Sequence, residues 1–132
     1  MATQSVHQAY KNNSVSTASP GELTLMLYNG CLKFLGKAKV AITEKNIQEK
    51  NINLQKSQNI IQELMVTLNM NIEISKSMMQ MYEYMNHRLI EANIKNSVEV
   101  IEEVEGYVTE FRDTWKQVIQ VNRQKQFSGG QA

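Results

Sequence analysis

Beyond Pro20 the chain contains no proline. Proline removes a backbone donor and clashes with the preceding helical turn, so its absence leaves the rest of the chain open to long helices. The one proline also stands where a helix tolerates it best. Ser19 can cap, Pro20 suits the first helical position, and Glu22 completes a Ser-x-x-Glu capping box.

Apolar spacing then marks out four helices. The first is predicted from about Pro20 to Glu44 and carries Leu23, Leu27, Cys31, Phe34, Ala38 and Ala41 as one stripe. Leu25, Tyr28, Leu32, Leu35 and Ile42 form a second stripe beside it. One stripe of roughly 100° is enough for an ordinary surface helix. The extra width predicts a central helix or one that also serves a partner. The second helix starts near Asn46, with Glu49 three residues on, and reaches about Leu68. The third runs from near Ile74 to about Asn93, with Ile74, Met78, Met81, Met85, Leu89 and Ala92 in line.

The fourth helix has the clearest pattern. After Asn96 or Ser97 as cap, Ile101, Val104, Val108, Phe111, Trp115 and Val118 follow in steps of 3, 4, 3, 4 and 3, a heptad seam. Gly106 costs about 1 kcal/mol there against alanine, and its place beside Val104 and Val108 points to a close helix approach. Short joins at Glu44–Asn46 and Ile94–Ser97 imply antiparallel neighbours. The predicted fold is all-α, an antiparallel up-down four-helix bundle over 19–122. A short N-terminal segment, 1–18, packs on it, and a flexible tail, 123–132, follows.

Several functional classes are disfavoured. A net charge of +1, with lysine and arginine scattered, gives no basic surface for nucleic acid. No apolar run approaches the roughly 18 residues of a membrane span, and the start lacks the features of a secretory signal. Cys31 is alone, so no internal disulfide can form; the expected location is the cytoplasm. A di-iron bundle needs two Glu-x-x-His motifs, but neither His7 nor His87 follows a glutamate by three. Cys31 sits on a core stripe, where a thiol is inert. No phosphate-binding loop or nucleophile elbow occurs. The expectation is a non-enzyme with no cofactor and no metal. The acidic run from Glu99 to Glu110 reads as a solvated helix face.

What remains is apolar surplus. Six of the eight methionines fall between Met65 and Met85, a composition that suits either a loosely filled core or an adaptable binding surface. Met78 and Met79 point about 100° apart on a helix, and Tyr82 and Tyr84 also diverge. That favours a groove for an amphipathic helix. The polar 1–18 segment carries Val6, Ala9, Tyr10 and Val15, apolar anchors suited to covering such a groove.

One block is specific. Tyr10, Val15, Thr17, Ala18, Pro20, Glu22, Leu23 and the run Met26-Leu27-Tyr28-Asn29-Gly30 resemble the opening signature of the flagellin-specific export chaperones, the FliS family. The resemblance continues through Leu64, Leu68, Tyr82, Tyr84, Ala92-Asn93, Glu103-Val104 and Trp115. It implies a cytosolic helical bundle that binds the disordered C-terminal segment of flagellin, prevents its premature polymerisation and hands it to the flagellar type III export gate. It also implies that Tyr10 and Val15 cover the groove until client displaces them. Leu25, Tyr28, Met78, Met79 and Tyr82 are the candidate client contacts. An uncovered groove is expected to promote a homodimer when client is absent. The alternative is a helical adaptor for some other amphipathic partner.

Overall fold

The structure, a computed structural model, describes residues 20–131, with side chains between 21 and 123. Four helices follow one another: α1 (Pro20–Thr43), α2 (Ile47–Val66), α3 (Glu73–Lys95) and α4 (Val98–Gln131). Each packs beside its neighbours in sequence, and α4 closes the ring against α1. The diagonal pairs make no backbone approach. The arrangement is the predicted up-down bundle. The α1–α2 and α3–α4 joins lie at its upper end, and the α2–α3 join lies at its lower end beside Pro20.

Local chemistry explains the joins. Lys45 adopts a left-handed conformation (φ 59°) past the end of α1. Its amide donates to Ile42 O at 3.1 Å, and that of Asn46 donates to Ala41 O at 2.8 Å. This pairing satisfies the last carbonyls of the helix. Asn46 then starts α2 by accepting the Glu49 amide at 3.1 Å, as its spacing predicts. The α3–α4 join repeats the scheme, with Asn96 left-handed (φ 53°) and Ser97 Oγ accepting the Val100 amide at 3.2 Å. Ser97 is therefore the cap. The lower join, 67–72, is a true break: the Asn69 side chain accepts the Asn71 amide, a bond that competes with helix.

The core gathers one stripe from each helix. Leu27, Leu35, Leu54, Ile61, Leu64, Leu89, Ile101 and Val104 are almost fully buried. Each such side chain contributes about 1.5–3 kcal/mol of burial. Down the α4 seam the burial fades. Val108 is enclosed, Phe111 and Trp115 are half-buried, and Val118 is exposed.

Two expectations need correction. Gly106 faces open space, and a Cβ there would meet no atom within 4 Å, so it permits no close helix approach. It lies between seam positions rather than on the seam. From Arg123, where a fraying tail is expected, the backbone continues as helix to Gln131. No proline stops it, and Arg123 pairs with Glu22 at the start of α1. The acidic run is also less bland than expected, since it joins α4 to both neighbours. Lys39 of α1 pairs with Glu105 at 2.7 Å and Glu102 at 3.5 Å, and Arg88 of α3 pairs with Glu103 at 2.8 Å.

Candidate functional site

The two tyrosines of the expected client surface meet inside the bundle. Tyr28 on α1 and Tyr82 on α3 are 2% and 1% exposed, and their hydroxyls share a hydrogen bond of 2.6 Å across the diagonal. Phe111 of α4 stands edge-on to both rings, with centroids 6.4 and 5.8 Å away. Offset and edge-on geometries match the ring quadrupoles. Burial pushes both phenols above their ordinary pKa, and the neighbouring hydroxyl pushes Tyr82 further. Tyr28 and Tyr82 are thus core residues here. Tyr28 is expected at the client surface because helix one has two apolar stripes, and Tyr82 because it diverges from Tyr84 on helix three. In the fold both stripes of helix one are internal: Leu27, Cys31 and Ala38 from one, Tyr28 and Leu35 from the other. Cys31 is wholly buried, and burial, with Glu105 adding to it, pushes its thiol up to about 12. It stays protonated and unreactive near neutrality.

The other candidates separate. Met78 is half-buried and packs against the core. Leu25 is half-buried on the flank of α1 that turns to α4; it lies two heptads before Lys39, which pairs with Glu102 and Glu105 there. Met79 lies on the flank of α3 that turns to α2, one heptad before Asn86, whose Nδ2 donates to Gln58 O at 3.5 Å. Leu25 and Met79 therefore sit on opposite sides of the bundle and do not share one groove. Tyr10 and Val15 lie outside the described residues.

Sequence reasoning missed several exposed apolar groups. Ile74, expected on the apolar stripe of the third helix, is exposed because it stands in the first turn of α3, beyond the buried part of that stripe. Val66, Met70, Ile72 and Ile74 surround the lower join and are 47–76% exposed. Ile90 and Ile94 are 51% and 76% exposed on the same outer side of α3 as Met79. Asn86 lies on this flank too, and its Oδ1 is buried with no hydrogen-bond partner. The signal was available, because Ile90 and Ile94 are apolar yet fall off the stripe that holds Met85, Leu89 and Ala92. The α2–α3 flank is the candidate binding face.

On the α3–α4 side the surface is tied down by polar groups. Glu103 accepts from Tyr84 Oη at 2.7 Å, Tyr107 Oη at 3.2 Å and Arg88 at 2.8 and 3.0 Å. The Tyr84 hydroxyl first, then the Arg88 guanidinium, hold its carboxyl below the ordinary range. A depressed carboxyl contributes stability above its unfolded pKa, about 4.3, and loses it as pH falls through its folded value. Glu103→Gln should therefore be less stable than the parent at pH 7. The gap should close on acidification below about pH 4, read by urea unfolding at both pH values. A constant gap across pH would show that the carboxylate charge is not involved.

Among the described residues, no group of three His, Cys, Asp or Glu side chains is placed to hold a metal ion. No described helix is long and apolar enough to cross a membrane.

The comparisons agree with the signature block. The family model for flagellar protein FliS matches residues 2–122. The chain is 59% identical over 130 residues to the flagellar secretion chaperone FliS of Bacillus subtilis, covering 98% of each chain. It is 35% identical over 120 residues to the protein of that name from Escherichia coli, covering 89% of this chain and 88% of the other. A solved structure described as a flagellar chaperone from bacteria superposes with a TM-score of 0.72 at 19% identity, covering 89% of this chain and 97% of that one, which supports the fold. The family is one of chaperones rather than enzymes. Signature, bundle and relatives together establish that this chain belongs to the FliS family of flagellar proteins.

Proposed function

We propose that the protein is a cytosolic export chaperone that binds the disordered C-terminal segment of flagellin. Binding blocks premature polymerisation, and the complex is delivered to the flagellar type III export gate. The observation that carries this reading is the α2–α3 flank. There Met79 is half-buried and Ile90 and Ile94 are exposed along the outer side of α3. An amphipathic helix laid along α3 would cover the apolar groups. A client that folds as it binds spends part of its interaction energy on ordering, which keeps binding reversible.

Residues 1–18 are the proposed cover, with Tyr10 and Val15 as its anchors. The chain enters at Pro20, at the same end as the exposed Val66, Met70, Ile72 and Ile74. A segment of this length reaches roughly 60 Å when extended, against about 35 Å for α3. Displacing it exposes the flank, and without client that flank favours self-association into a homodimer.

Calorimetric titration with a peptide of the flagellin C-terminal region tests the reading, with circular dichroism in parallel. The expected result is stoichiometric binding with gained helicity and a negative heat-capacity change. Ile90→Asp should weaken it about tenfold or more, each tenfold being about 1.4 kcal/mol, without lowering the melting temperature. Tyr10→Ala should change the affinity and leave stability unmoved. No heat and no gain in helicity, from a folded protein, would defeat the flagellin assignment in favour of an adaptor for another helix.

A further inference from the structure

The upper end of the bundle holds a feature that the apolar flank does not use. Lys50, near the start of α2, is 6% exposed. Its ammonium donates to Asn93 O at 3.0 Å and to Asn96 Oδ1, both at the end of α3. Those bonds use two of its three N–H groups, and both acceptors are neutral. No described carboxylate pairs with it: Glu49, the nearest acid in sequence, accepts from Asn53 at 3.3 Å, and no ion pair joins Glu44 to this lysine. The ammonium is part-buried at the half-open end of the bundle, and the C-terminal dipole of α3 favours its charge there without supplying a counter-ion.

Lys50 and Asn96 line a half-open cavity of about 390 Å³, completed by Ala41, Ile42, Lys45, Asn46 and Ile47. Every charged group in that lining is a lysine. The Ile47 amide, in the first turn of α2, has no acceptor among the described residues, so the positive end of the helix dipole adds to the same place. Lys45 holds the left-handed position that glycine would occupy at less cost, and it is the second lysine of the lining. The groups are too few for a phosphate with its double charge. One spare ammonium proton and one free amide are in number and kind the donors that the two oxygens of a carboxylate accept, and Ala41, Ile42 and Ile47 in the lining suit the methylenes that carry it.

We propose that this cavity binds a carboxylate, presented by an acidic side chain of a docking polypeptide. The site is separate from the α2–α3 flank and does not depend on flagellin being the client.

The test is an NMR titration of the full chain with three probes: N-acetyl-glutamate N-methylamide, its glutamine isostere and inorganic phosphate. The glutamate probe should shift the amides of Ile47 and Lys50 saturably, and the glutamine isostere should not. Lys45→Gly relaxes the backbone and removes the second lysine charge; it should weaken the glutamate probe about two- to fivefold, the range of an exposed ion pair. Lys50→Met should abolish the saturable shift. Equal shifts with both blocked amino acids, no saturation with either, or tighter binding of phosphate than of the glutamate probe would each overturn the assignment. Because Lys45→Gly keeps the Lys50 bonds to α3, instability of Lys50→Met does not decide the outcome.

Discussion

Tyr82→Ala is expected to destabilise the bundle by about 3–5 kcal/mol, the cost of removing a fully buried aromatic ring and leaving a cavity behind. The ring is 1% exposed, packs edge-on to Phe111 and meets Tyr28 across the diagonal. Subtler changes separate the ring from its hydroxyl. Tyr82→Phe leaves the Tyr28 hydroxyl buried without its partner, at about 1–3 kcal/mol. Tyr28→Phe strands Tyr82 in the same way. The double variant removes both polar groups and should be more stable than the sum of the two single changes predicts, and near neutral overall. Urea unfolding of the four proteins gives the coupling. Strict additivity, or a single variant as stable as the parent, would mean that water reaches these hydroxyls and that the diagonal bond is not a structural tie.

The second large effect concerns Trp115. Its indole N–H donates to the Gly21 carbonyl at 2.7 Å, tying α4 to the first turn of α1. The ring is half-buried, so Trp115→Ala should cost about 2–3 kcal/mol, less than a fully enclosed tryptophan. Trp115→Phe keeps most of the packing and loses the donor, which isolates a bond worth about 1 kcal/mol. Hydrogen exchange supplies the second readout: both changes should speed exchange in the first turns of α1 more than in α2. Unaltered stability in Trp115→Ala would show the ring to be part of a binding surface instead.

The architecture was legible because it rests on periodicity. The Asn46 cap with Glu49 three residues on and the first half of the α4 seam, Ile101 to Val108, stand where the pattern puts them, whereas the last seam position, Val118, is exposed. Side-chain roles were less legible, for a common physical reason. Periodicity reports which face of a helix is apolar, but not how many neighbours surround that face. Tyr28 and Tyr82 carry a polar tip that reads as surface; only the opposite helix supplies the partner that makes burial affordable. Lys50 is charged, so its pattern places it outside; the end of α3, far along the chain, draws it in. Ile90 and Ile94 fail in the other direction: they are apolar by composition and exposed by angle. Gly106 illustrates the same limit, since a glycine near a seam in sequence can still look away from it.

The ring order of the helices also has a kinetic consequence. Three of the four packed helix pairs join neighbours in sequence; beyond the diagonal Tyr28–Tyr82 bond, the α1–α4 seam is the packed pair that joins helices distant in the chain. Topologies dominated by local contacts fold in microseconds to milliseconds, because little loop-closure entropy must be spent before contacts form. The α1–α4 closure, held by Trp115 on Gly21, the Lys39 ion pairs and Arg123 on Glu22, carries the largest loop-closure cost and is expected to form last. Closing that seam is what turns a run of sequential helix hairpins into a ring, so a substitution there should slow folding more than one at a hairpin between neighbouring helices.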